Sequence, residues 1–156
     1  MPLDTATLDS DLEDIFDGTV DSPSASVAGN NWGTAFDTFS KTGVANAVPP
    51  VVSGASTTAL QSALGAAFTV IPGVPATAAA AVAAALDVYW ISITFAGAVG
   101  PPVPGGAAAL IASLTTIFAT IGGTHASKAA EVRAAINVYT NLVIVTFPGP
   151  LPFPVV

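Results

Sequence analysis

The chain has no cysteine and a single histidine in 156 residues. That removes disulfides, thiolate nucleophiles and cysteine-bound metals, and it fits either a reducing cytoplasm or an assembly that needs no staples. Charge is nearly as scarce. Asp, Glu, Lys and Arg make up 8% of the chain, against about 25% in an ordinary soluble domain. With three bases in all, there is no positive stripe to follow phosphates, so nucleic acid is not an expected partner. The opening stretch "MPLDTATLDSDLEDIF" has no basic run followed by an apolar one, so it does not read as a secretory leader.

What is present is small and apolar. Hydrophobic residues reach 52%, and many are Ala, which adds little area but lets backbones approach closely. The charges are unevenly placed. Nine of the thirteen precede Thr42, and the remaining 115 residues carry only Asp87, Lys128, Glu131 and Arg133. Such a body would expose apolar patches if it stood alone, so much of it is expected to be covered by lipid or by protein.

Residues 1–21 hold seven acids. Ser10 could cap a short helix over 11–17, or the segment could be a flexible acidic arm. Ser22 and Pro23 read as an N-cap and first helical residue. Ala28, Trp32, Ala35, Phe36 and Phe39 then follow helical spacing, and Gly43 is a stop. After a connector over 44–54, a helix over 55–70 would turn Leu60, Ala63, Leu64, Ala67, Phe68 and Ile71 to one side. Pro75 opens the next segment, 75–97, with Val82, Leu86, Tyr89, Trp90 and Ile93 on one stripe. Its β-branched and aromatic end invites fraying or conversion. A helix over 106–121 would bury Leu110, Ile111, Leu114, Ile117, Phe118 and Ile121. Thr124 would cap another over 125–143, with Val132, Ile136, Tyr139, Leu142 and Val143 inward. The stretches 73–82 and 102–111 echo each other weakly, too briefly to define a repeat.

Reactive chemistry has little to stand on. His125, in "GGTHAS", lacks the G-x-S-x-G context and the orienting acid that a triad needs, and reads as a helix-start residue. Asp9, Asp11 and Glu13 begin like a calcium loop, but Asp14 falls where Gly belongs and Val20 where the bidentate Glu belongs. Asp87 would be either a buried acid paired with Lys128 or Arg133, or an ordinary surface or interface Asp. No catalytic residue, metal or cofactor is expected.

Residues 76–98 are long enough to span a bilayer, but Asp87 sits at their midpoint, and no Lys or Arg cluster flanks either end. A membrane hairpin at 76–98/105–123 is the alternative reading. The principal one is a protein-covered assembly subunit. The last ten residues contain four prolines, two Phe and two Val, and read as an extended arm with apolar anchors. Phe147, Leu151, Phe153, Val155 and Val156 are the candidate assembly contacts. Deleting 147–156 is expected to leave the helices folded but to block incorporation into an assembly.

"THASKAAEVRAAINVYTN" (124–141), after the "GPPVPGG" turn, resembles small Ala-rich virion proteins of tailed bacteriophages. "VDSPSASVAGNNWGTAFDTF" (20–39) is similar to the start of such proteins. The resemblance implies a non-enzymatic structural part of the neck, tail or baseplate, assembled in the host cytoplasm with other virion proteins and copies of itself. The expected fold is all-α. It is an Ala-rich bundle of four to five helices over 22–146, with an acidic segment over 1–21 and an extended Pro-rich arm over 147–156.

Overall fold

A computed structural model describes residues 3–16, 24–70, 74–120, 122–149 and 151–156. The described residues form a helical bundle with six helices and five very short strands. The order is α1 (Thr5–Phe16), α2 (Ala25–Thr42), β1 (Pro50–Val51), α3 (Gly54–Val70), α4 (Pro75–Ser92), β2 (Thr94–Phe95), β3 (Val103–Pro104), α5 (Ala107–Ala119), α6 (His125–Thr140), β4 (Val143–Val145) and β5 (Phe153–Pro154).

Local chemistry sets most boundaries. Ser24 caps α2 by accepting the Val27 N–H, and Thr124 caps α6 by accepting the Ser127 N–H. The expected cap at Ser22 and Pro23 lies outside the described residues. Pro75 opens α4. α4 stops at Ser92 rather than running to 97, because Thr94 and Phe95 leave the helix to pair with Pro50 and Val51. The first helix begins earlier than Ser10 suggests. Asp4 caps it, accepting the Thr7 N–H at 3.0 Å and the Thr7 hydroxyl at 2.6 Å. Those bonds, the side-chain one first, hold the Asp4 carboxyl below its usual range.

The helices run alternately up and down. Each packs on the next, and α6 closes on α1. All strands lie at one end, where α2, α4 and α6 finish and α1, α3 and α5 start. β1 pairs antiparallel with β2, while β4 lies between β3 and β5.

This ring is a threefold internal repeat, each unit being a helical hairpin followed by a strand. Leu8, Leu12 and Phe16 of α1 recur as Leu60, Leu64 and Phe68 of α3, and as Leu110, Leu114 and Phe118 of α5. In each helix the leucines are buried and the phenylalanine is half-buried. The second helices match at a spacing of 50 residues. Ala35, Phe36, Asp37 and Phe39 correspond to Ala85, Leu86, Asp87 and Tyr89, then to Ala135, Ile136, Asn137 and Tyr139. The segments leaving these helices match too: Gly43 and Ala45, Ile93 and Phe95, and Val143 and Val145 are all buried. The short echo between 73–82 and 102–111 joins the starts of α4 and α5, which are not equivalent in the repeat.

α2, α4 and α6 supply the aromatic centre. Phe36 contacts Tyr89 at 5.4 Å and Trp90 at 6.1 Å between ring centroids, edge-on arrangements that aromatic quadrupoles favour. The leucines of α1, α3 and α5 fill the spaces between those helices. α2 and α3 approach most closely, because a Cβ on Gly29 would collide with the Gly65 backbone. Most anticipated inner faces are found there. The exceptions are Ala63 and Leu142, which are exposed, while Ile71 and Ile121 lie outside the described residues.

The tail is the extended segment that its prolines suggest, and its apolar anchors engage this chain's own body. Phe153 and Pro154 pair with Val145 and Ile144, and Val44 and Val156 exchange both backbone hydrogen bonds, at 2.9 and 3.1 Å. Val155 is fully buried beside Gly43 and Leu3. Deletion of 147–156 would therefore open the core rather than spare it.

Candidate functional site

Two acid–tyrosine pairs join successive repeats. The Tyr89 hydroxyl donates to Asp37 at 2.8 Å, and the Tyr139 hydroxyl donates to Asp87 at 2.7 Å. Both span 52 residues, since each acid meets the tyrosine of the following repeat. Asp37 also accepts from Thr57 at 3.0 Å and forms an ion pair with Lys41, while Ser40 lies 2.6 Å from the Tyr89 hydroxyl. Burial is the main cause that raises both tyrosine hydroxyls far above their ordinary range. Asp87 thus has Tyr139 as its partner rather than Lys128 or Arg133. Lys128 meets Glu131, and Arg133 meets Asp9.

At the junction that closes the ring, both members of this pair are changed together. The equivalent positions are Asn137 and Phe39, so neither a carboxylate nor a phenol is present. Other contacts take over: Arg133 reaches Asp9 at 3.1 Å, and Val156 joins Val44. These polar groups fix how repeats sit on one another. Ser40 is fully buried and Asp37 nearly so, so the hydroxyl–carboxylate cluster cannot receive a substrate without opening the core.

His125 is exposed, at the first position of α6. Among the described residues no group of three or more potential ligands is placed to hold a metal ion. On α1, partial burial first and then the neighbouring charges of Asp14 and Asp4 raise the Asp11 carboxyl above its usual range. An open cleft of about 560 Å³ lies between α5 and α6, where short side chains such as Ala109, Ser113 and Ala134 leave the helices apart. Its one charged lining residue is Glu131, which gives it no acid–base pair.

The strand end gathers six of the eleven large apolar side chains that the described residues expose, the others being Val27, Val74, Val88, Ile91 and Val138. Segments 44–52, 93–104 and 141–156 build it, and none contains Asp, Glu, Lys or Arg. They nevertheless expose large apolar side chains: Val51 at 61%, Val99 at 69%, Val103 at 60% and Leu151 at 68%, with Leu142 and Val156 also exposed. Every repeat contributes to this set. The turns that carry them need unusual backbone, with positive φ at Asn46, Ala47, Gly97 and Gly149. Proline occurs in β1, β3 and β5, each at a sheet edge, and not in the central β4. It withholds N–H groups from those edges and so blunts open-ended strand addition.

Of the five anticipated contact residues, the structure leaves two outside. Leu151 and Val156 are exposed. Phe147 and Val155 are buried in the chain's own core, and Phe153 is half-buried with its ring 5.8 Å from that of Phe147. Val51, Val99 and Val103 were not anticipated, although "VPPVV" and "GPPVP" already mark them as apolar residues held in turns. Comparison with protein-family models, curated proteins and solved structures finds no match in any of the three.

Proposed function

We propose that this chain is a non-enzymatic structural subunit of a tailed-phage virion, a part of the neck, tail or baseplate, and that neighbours dock on its strand end. The observation that carries the reading is that end itself. It combines exposed apolar side chains from all three repeats with segments free of charge. A surface of that kind costs solubility unless another protein covers it. The resemblance of 20–39 and 124–141 to Ala-rich virion proteins supplies the particle.

The test is to express a tagged chain during infection and purify particles. The tagged chain is expected to stay with particles at a constant ratio, and Val99→Asp is expected to remove it while leaving the helical spectrum unchanged. Particles free of the chain would contradict the reading.

A membrane hairpin remains the second reading, because α4 is long and apolar enough to cross a bilayer by length and composition. Two features favour the assembly reading over it. Asp87 and Tyr89 of α4 are hydrogen-bonded inside the bundle. α5 has 13 residues, or about 20 Å, against a hydrocarbon core of about 30 Å. Recovery only in carbonate-resistant membranes would favour the hairpin.

A further inference from the structure

We propose that residues 151–156 are an exchangeable clasp: within an assembly, this strap of one copy leaves its own body and seats on the same site of a neighbouring copy. The proposal stands on the closing junction alone and goes beyond the docking of neighbours on the strand end. The chain itself specifies the site. β5 pairs with β4 through Phe153 and Pro154, buried Val155 sits beside Gly43 and donates to the Val143 carbonyl, and Val156 exchanges both backbone hydrogen bonds with Val44. Every copy carries both halves of this contact. A neighbour's strap therefore makes the same contacts in the same register, and the occupant needs no other chemistry.

Three features make this the contact that opens. The continuous junctions are locked by acid–tyrosine pairs, whereas the closing one has Phe39 and Asn137 in those places. The receiving side is strained. Close to Val44, Ala47 is held at a φ of 62°, a region that its Cβ disfavours. Release of the strap lets that turn relax, which lowers the cost of the open intermediate. The hinge is the third feature. Residues 146–152 read TFPGPLP, three prolines in seven, which biases the backbone toward extended conformations. The closed form turns at Gly149, where φ is 149°. Straightened, seven residues reach about 23 Å, enough to carry the strap to an adjoining copy. Both forms make the same contacts, so concentration sets their balance. A strap on so short a tether competes as though present at about millimolar concentration. A dilute copy keeps its own strap, whereas copies packed together compete on equal terms. The clasp thus holds copies separate before assembly and stitches neighbours after it.

The experiment exploits the lack of cysteine. A Val44→Cys chain is mixed with a Val156→Cys chain under oxidising conditions, from micromolar up to about 1 mM. Facing residues that exchange both hydrogen bonds lie about 5.5 Å apart, within reach of a disulfide. A bond between the two chains therefore reports a strap seated on another copy. The expected result is a covalent mixed pair whose yield rises with concentration. It should clearly exceed the collisional background from Val27→Cys mixed with Val156→Cys, since Val27 lies at the far end of the bundle. Gly149→Ala, which penalises the closed turn, should raise the yield about fivefold at a given concentration. The unaltered chain gives a second reading. Nitrogen-labelled and carbon-labelled copies mixed at about 1 mM should show a nuclear Overhauser contact between Val44 of one label and Val156 of the other. A mixed-pair yield no higher than the Val27 background at every concentration overturns the proposal, as does a Val44–Val156 contact confined to a single label in the unaltered chain.

Discussion

Two junctions between repeats are continuous in the chain, and the third is made by residues from opposite ends of it. The continuous junctions share one device, an acid of one repeat accepting from the tyrosine of the next. The closing junction has Asn137 and Phe39 in those places and relies on the Val44–Val156 strand contact, buried Val155 and the Asp9–Arg133 ion pair, which spans 124 residues. The comparison teaches that one packing scheme can be held by different chemistry. Where covalent continuity already brings repeats together, a single buried polar pair sets their register. Where loop-closure entropy must also be overcome, the contact is spread over strand, core and surface charge.

The largest effect is expected from opening the closing junction. Removing 151–156 takes Val155 from the core and leaves Val44 unpaired, at a cost of about 3 kcal/mol or more. Urea unfolding followed by circular dichroism measures it. An unchanged midpoint would mean that the segment does not hold the ring closed.

Next come the continuous junctions. Tyr89→Phe strands part of the buried Asp37 cluster and should cost about 1–3 kcal/mol. Tyr139→Phe should cost less, near 1 kcal/mol, because Asp87 is only half-buried and can turn to water. The same hydroxyls give a pH signature. Burial raises their folded-state pKa above the unfolded value of about 10. Their contribution is therefore fully present below about pH 10 and is lost as pH rises through the folded pKa. Melts on either side of about pH 10, with tyrosinate absorbance as a second signal, should show stability falling on the alkaline side, and less so in the Phe variants.

The comparison can also be sharpened by transplanting the device. Phe39→Tyr with Asn137→Asp rebuilds the acid–tyrosine pair at the closing junction. Each change alone should destabilise, and the pair should recover a coupling of about 1 kcal/mol in a double-mutant cycle. Strict additivity would mean that the third junction is not equivalent to the other two. The smallest effect belongs to Arg133→Gln. Both partners are substantially exposed, so the loss should be about 0.2–1 kcal/mol and should shrink in high salt.

Much of the helical part is legible in the sequence. Thr124, Gly43 and Pro75 mark real boundaries, and Val82, Leu86, Tyr89, Trp90 and Ile93 form the anticipated inner face of α4. The acidic composition of residues 1–16 hid Leu8, Leu12 and Phe16, although their spacing is that of Leu60, Leu64 and Phe68. The repeat is obscured because its second helices vary at the core, where Phe36, Leu86 and Ile136 fill equivalent places, and because the identical Leu, Leu and Phe of the first helices recur at unequal spacings of 52 and 50 residues. The tail misled for another reason. Its prolines correctly indicate extended backbone, but Val155 is buried by Gly43, Leu3 and Val143, and no local pattern reveals partners so far away. The same holds for the exposed apolar residues of the strand end, which come together only when three separated linkers meet there.

Hydrogen exchange on the chain before and after assembly tests the central claim most directly. The account predicts that protection rises together in the three linkers, around Val51, around Val99 to Val103 and around Leu151 to Val156, while the outer faces of the helices stay unchanged. Protection confined to one linker, or found on the helices with the strand end still exchanging freely, would contradict it.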